Sequence, residues 1–149
     1  MRDVSIIGVG RSDFSPEGNL IYHADNAVKK ALEDVKGEGI FKKEDIQVIF
    51  CGCTTTVGNV GQMMVMNQGL LGVGVFNIEN GFITGVTTLN SAWHAVASGL
   101  YDIVLVCSAA SFSGGGGFAA LFSKEKAPEG DPVSYTHLRA HETRHDLVC

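Results

Sequence analysis

The chain has 149 residues, 45% of them hydrophobic, enough for one domain with a buried core. Its net charge is −5, and its 11 Lys and Arg form no run longer than two, which argues against a nucleic-acid or anionic-membrane surface. No apolar run approaches the ~20 residues needed to cross a bilayer. The start, Met1-Arg2-Asp3-Val4, lacks the pattern of a signal peptide, so the expected location is cytoplasmic.

Strand-like and helix-like segments alternate, the pattern of an α/β fold with parallel pairing. Val4–Val9 is a short β-branched run bounded by glycine, which predicts a buried strand. After a turn-rich stretch from Gly10 to Asn19, the spacing predicts a helix over Leu20–Lys36. Leu20, Ala24, Ala27, Val28, Ala31, Leu32 and Val35 share one stripe, and Gly37 stops the helix. Lys43-Glu44-Asp45 leads into a strand, Ile46–Cys51. A polar loop over 52–61 precedes a helix at Gln62–Leu71, whose Met63, Met64 and Met66 read as adaptable core packing. Val75–Asn80 is the third predicted strand. A helix follows from Thr84 or Gly85 to Gly99, and Tyr101–Val106 is the fourth strand. Gly114–Gly117 opens a low-complexity stretch that stays polar to Pro132.

Most single motifs carry little chemistry. Gly8-Val9-Gly10 follows a predicted strand, but position 13 is Asp and no helix starts there, so a dinucleotide loop is excluded. The four-glycine run lacks the Lys-Ser/Thr of a phosphate loop. Cys51 and Cys53 are too close for an easy disulfide and lack the two-residue gap of a zinc knuckle. With Cys107 and Cys149 they suggest a reducing compartment. His94, beside Trp93, reads as structural and His23 as a surface residue. Ser108 and Ser111 show no base nearby in sequence.

The informative stretch is Phe76-Asn-Ile-Glu-Asn-Gly-Phe82-Ile-Thr-Gly85-Val-Thr-Thr-Leu89, followed by Ala95-Val-Ala-Ser-Gly-Leu-Tyr-Asp-Ile-Val-Leu-Val106. A strand running through a sharp turn into a helix N-terminus has the geometry of a nucleophile elbow. Such a turn exposes one side chain and aims backbone N–H groups at developing negative charge.

This stretch resembles the thiolase superfamily, especially its sterol-carrier/lipid-transfer branch, where the pattern is Asn-Val-Glu-Asn-Ala-Cys-Ala-Ser-Gly-Ser-Thr-Ala-Leu. Val4–Phe14, Ala27–Val35, Gly61-Gln62 and Gln68-x-x-Leu71 resemble the same family's opening strand, first helix and pre-elbow segment, so the likeness covers about 1–112. It implies a layered βαβαβαβ N-terminal half with a mostly parallel sheet, acyl-CoA as substrate, and no cofactor beyond the coenzyme A thioester. It also implies pairing into a homodimer or tetramer along Val75–Asn80. Asn80 and Gly81 would shape the elbow, and Thr84 and Gly85 would set the helix start.

The sequence departs from the family at two places. Phe82 stands where the family keeps its nucleophilic cysteine, and Ser108-Ala-Ala-Ser-Phe112 replaces the usual Gly-x-Glu-Lys-Met. A phenyl ring cannot form a thioester, so covalent acyl transfer cannot run through position 82. Some lipid-transfer-type members without the cysteine act as retro-aldolases on β-hydroxyacyl-CoA, beside a zinc-ribbon/OB-fold partner. The alternatives are a non-catalytic acyl-CoA-binding or scaffolding subunit, and a Cys-to-Phe reading error in the sequence.

The tail stands apart. Residues 133–143, Val-Ser-Tyr-Thr-His-Leu-Arg-Ala-His-Glu-Thr, resemble an in-frame translation of a transposase sequencing adaptor. The expected organisation is therefore an incomplete thiolase-like domain over 1–132 and an artefactual tail over 133–149. On this reading the helical spacing of His137, His141 and His145 is not a metal site. A chain ending near Pro132 would be inactive by itself, because the second half of the fold is missing.

Overall fold

The computed structural model describes residues 1–13, 19–35, 41–54 and 59–110. The expectations for Ser111, for Gly114–Pro132 and for the tail lie outside these residues. The described elements are α1 (Leu20–Val35), β1 (Val48–Cys53), α2 (Val60–Asn67), β2 (Gly74–Ile78), α3 (Thr84–Ala97) and β3 (Val104–Ala109). One-turn 3₁₀ segments at Lys43–Asp45 and Gly81–Ile83 precede β1 and α3.

The three strands form a parallel sheet in the order β2-β1-β3, so the architecture is α/β, as the alternation predicts. In register, Val48 lies beside both Gly74 and Val104, and Cys51 beside both Asn77 and Cys107. β1 is central and all six of its residues are buried. The period of two divides its side chains between two cores. Ile49, Cys51 and Cys53 pack with Ala24, Val28 and Leu32 of α1 and Met64 and Val65 of α2. Val48 and Phe50 meet Ala92 and Ala95 of α3 on the other face. The small α3 residues let that helix lie close to the sheet. Phe50 also stacks on Phe76 of β2, ring centroids 5.2 Å apart.

α1 forms where its apolar stripe predicts. Ala24, Val28, Leu32 and Val35 are its buried residues, and each fully buried Val or Leu contributes roughly 1.5–3 kcal/mol by leaving water. Of the methionine cluster only Met64 is core; Met63 and Met66 are exposed.

The other boundaries move by a few residues, for local reasons. β1 starts at Val48 because the 3₁₀ turn extends to Ile46, whose N–H bonds the Lys43 carbonyl. β3 starts at Val104 because Leu100 and Tyr101 spend their N–H groups on the Ala95 carbonyl, closing α3. Asp102 and Ile103 then donate to the Gln47 side chain.

The first predicted strand is a correction. Val4–Val9 has no regular structure, and Ile6, Ile7 and Val9 are exposed. β-branched composition only favours a strand; a partner edge makes one. Here the segment is held at its ends. The Arg2 N–H bonds the Ala97 carbonyl at 2.9 Å, and its guanidinium donates to Val96 O, Tyr101 O and Asp102 Oδ1. The Val9 N–H donates to Asp34 Oδ2. Gly8 and Gly10 lie so close to α1 that an added Cβ would stand 2.1 Å from Val35 Cγ2 and from the Ala27 carbonyl, respectively.

Candidate active site at the turn between β2 and α3

β2 ends at Ile78, and Glu79-Asn80 leads into the one-turn segment before α3. Gly81 takes φ +52°, a left-handed conformation that costs a residue with a Cβ about 1 kcal/mol or more. The turn is fastened by one buried hydroxyl. Thr84 Oγ1 accepts the Asn80 N–H at 2.8 Å and donates to the Gly81 carbonyl at 2.7 Å. Asn80 Nδ2 reaches Thr87 Oγ1 at 2.9 Å, and the Ile83 N–H closes on the Asn80 carbonyl. Asn80, Gly81, Thr84 and the helix start at Gly85 therefore form one hydrogen-bonded unit. Phe82 stands at its tip, 64% exposed, with Ile83 beside it. The first turn of α3 adds the positive end of the helix dipole.

Two residues that the sequence reading did not link to the elbow meet it from below. Thr88 is fully buried and donates to the Thr84 carbonyl at 2.7 Å. Ser108, on β3, faces Gly85; a Cβ on Gly85 would stand 3.8 Å from it. Both converge on Gly52 of β1, where an added Cβ would meet Thr88 Oγ1 at 2.4 Å and Ser108 Oγ at 2.5 Å. Residues 52, 88 and 108 are far apart in sequence; the register of β1 with β3 sets Gly52 beside Ser108, and the packing of α3 on the sheet brings Thr88 to them. Gly61 plays a similar part at α2: its N–H donates to Asn77 Oδ1, and Asn77 Nδ2 donates to Gln62 Oε1 at 2.8 Å.

The remaining candidates sit elsewhere. His94 is exposed and edge-on to Trp93, ring centroids 4.9 Å apart. His23 is half-buried, with Nδ1 2.7 Å from Ser12 Oγ, a pairing that its place in the sequence did not suggest. Cys51, Cys53 and Cys107 are buried. Cys51 and Cys107 are cross-strand neighbours sharing a thiol hydrogen bond. That bond holds the Cys51 thiol below its usual range and, with burial, pushes Cys107 up. Among the described residues, no group of three or more His, Cys, Asp or Glu is placed to hold a metal ion. None of the described helices is long and apolar enough to cross a membrane.

The parallel sheet, its helices and the strand-turn-helix elbow together define a thiolase-like fold. The likeness is to the crystal structure of a 3-oxoacyl-[acyl-carrier-protein] synthase III from Aquifex aeolicus VF5, with TM-score 0.60 and 19% identity. The match covers 70% of this chain and 44% of that one, so the chain spans less than half of its neighbour's length. No family model matches the sequence, and no curated protein does.

Proposed function

We propose that the chain is the N-terminal half of a thiolase-like protein of the lipid-transfer type, acting on a carbon–carbon bond of an acyl-CoA without a covalent acyl-enzyme at the elbow. The observation that carries this reading is Phe82 at the exposed tip of an otherwise complete elbow. The turn keeps what a thioester carbonyl needs, namely a fixed backbone and a helix N-terminus, and lacks a nucleophilic atom at the apex. Retro-aldol cleavage of a β-hydroxyacyl-CoA fits such a site, because it requires proton transfer and charge stabilisation rather than acyl transfer.

On this proposal the acid–base groups come from a second half beyond residue 132, and the chain by itself turns over nothing. Pairing of two copies along Val75–Asn80 is part of the proposal. In its favour, β2 pairs only with β1 among the described residues and leaves its other edge free. A zinc-ribbon/OB-fold partner and a cytoplasmic setting complete the reading.

A second reading has its own support. None of the residues Asn80–Gly85 titrates, which suits a subunit that binds acyl-CoA or scaffolds a complex. The two separate in an assay of the full-length gene product. Cleavage of β-hydroxyacyl-CoA with negligible thiolysis of β-ketoacyl-CoA supports the aldolase. Acyl-CoA binding with neither activity supports the scaffold. Appreciable thiolysis with Phe82 in place would refute both.

A further inference from the structure

Cys51 and Cys107 are nucleophilic groups that the elbow does not use. They lie directly opposite each other on β1 and β3, and both are buried in the core beneath α1 and α2. Opposed residues of a parallel sheet point to the same face, on strands about 4.8 Å apart. A disulfide spans Cα atoms roughly 4.4–6.8 Å apart, so the backbone already sits where that bond needs it. Cys53, two residues on, has Ala109 opposite it instead.

The pair is chemically asymmetric. The Cys107 thiol donates a hydrogen bond to Cys51, which favours the Cys51 thiolate; the same bond and burial keep Cys107 protonated. One sulfur is thus the better nucleophile, and the other is a resolving thiol held against it. The surroundings of Cys51 are polar on one flank. Its register partner on β2 is Asn77, whose Oδ1 accepts the Gly61 N–H and whose Nδ2 donates to Gln62 Oε1. Gly61 lies over the sulfur-bearing carbon with no side chain of its own; a Cβ there would stand 3.0 Å from Cys51 Cβ. Hydrogen peroxide, small and hydrogen-bonding like water, suits such a flank better than a bulky reagent does.

We infer that Cys51 and Cys107 close into a reversible disulfide when the protein meets a peroxide, locking the central strand to β3. In the first step the Cys51 sulfur attacks one peroxide oxygen, the O–O bond breaks, and Cys51 sulfenic acid and water result. In the second the Cys107 sulfur attacks the Cys51 sulfur, the S–O bond breaks, and a second water leaves. The two thiols are oxidised by two electrons, and the peroxide is reduced to two waters. The cross-link lies one residue before Gly52 and Ser108, where Thr88 and Gly85 of α3 meet the sheet. Oxidation therefore fixes the strand spacing on which the floor of the elbow is built. The inference uses the register of the sheet and stands whether or not the acyl-CoA reading holds.

Treating the reduced 149-residue chain with hydrogen peroxide, without denaturant, tests it by peptide mass after alkylation. The expected product is a peptide pair joined through Cys51 and Cys107, two hydrogens lighter than the reduced pair and restored by dithiothreitol. By closing the long loop from 51 to 107, the bond should raise the urea midpoint by about 1 M or more. Cys53→Ala combined with Cys149→Ala should preserve both results. Cys107→Ala should leave a sulfenic acid on Cys51 that dimedone traps, whereas Cys51→Ala should leave Cys107 unlabelled. Urea midpoints of the reduced variants confirm that they fold, and the wild-type cross-link decides the matter by itself if one does not. Thiols that stay reduced in the folded chain overturn the inference. So do cross-links running mainly through Cys53 or Cys149, or equal dimedone labelling of Cys51 and Cys107 in the single variants.

Discussion

Gly52→Ala places one methyl group where α3 and β3 converge beneath the elbow. The new Cβ would stand 2.4 Å from Thr88 Oγ1, 2.5 Å from Ser108 Oγ and 3.0 Å from Thr84 Cγ2. Ser108 is exposed and its hydroxyl can rotate away at little cost. Thr88 cannot, because it is fully buried and its hydroxyl is bonded to the Thr84 carbonyl at 2.7 Å. Overpacking of about 1–3 kcal/mol plus one lost hydrogen bond of about 1 kcal/mol gives a destabilisation of roughly 2–4 kcal/mol. With a urea m-value of about 1–3 kcal/mol/M, the midpoint should fall on the order of 1–2 M. Trp93, the only tryptophan, lies on α3 and reports the transition by fluorescence. Adding Thr88→Ala to Gly52→Ala should restore more than half of the loss, since it removes the group that cannot move. A Gly52→Ala protein within about 0.5 kcal/mol of wild type would refute the packing argument, because changes that small are typical of the surface.

Three other perturbations have defined outcomes. Thr84→Val leaves the Asn80 N–H and the Gly81 carbonyl without their shared partner and should cost about 1–3 kcal/mol by urea unfolding; an unchanged midpoint would mean that the turn is fastened elsewhere. The Arg2 hydrogen bond and then its charge hold the fully exposed Asp102 carboxyl below the usual carboxylate range, so its stabilisation is present above about pH 4 and is lost as pH falls through the depressed value. The gap between the urea midpoints of wild type and Arg2→Gln should therefore shrink below about pH 4 and at high salt; a gap that grows on acidification contradicts the sign. Phe82→Cys in the full-length protein should bring little thiolysis, since a lone thiol lacks its activating partners. A large gain would mean that the rest of a thiolase site has been kept.

Local pattern made some of this legible and concealed the rest. α1 is readable because its stripe at helical spacing buries Ala24, Val28 and Leu32 without help from distant sequence. The elbow is readable because Asn80 through Gly85 are contiguous and their hydrogen bonds span at most seven residues. Gly52, Thr88 and Ser108 are opaque in the chain, because strand register and the packing of α3 on the sheet bring them together. Val4–Val9 was misleading for the same reason: its composition states a preference, and only an available edge settles the conformation. The shifted starts of β1 and β3 follow from Lys43 and Ala95 carbonyls capturing N–H groups, which periodicity does not register.

The buried thiols have a use unrelated to catalysis. Cys51, Cys53 and Cys107 are 0%, 9% and 5% exposed, two on the central strand and one on its neighbour. A water-soluble alkylating reagent reaches them only when the middle of the sheet parts, whatever the ends of the chain are doing. Their modification rate is therefore a clock for the rarest opening motions of the fold, read by peptide mass without an added label.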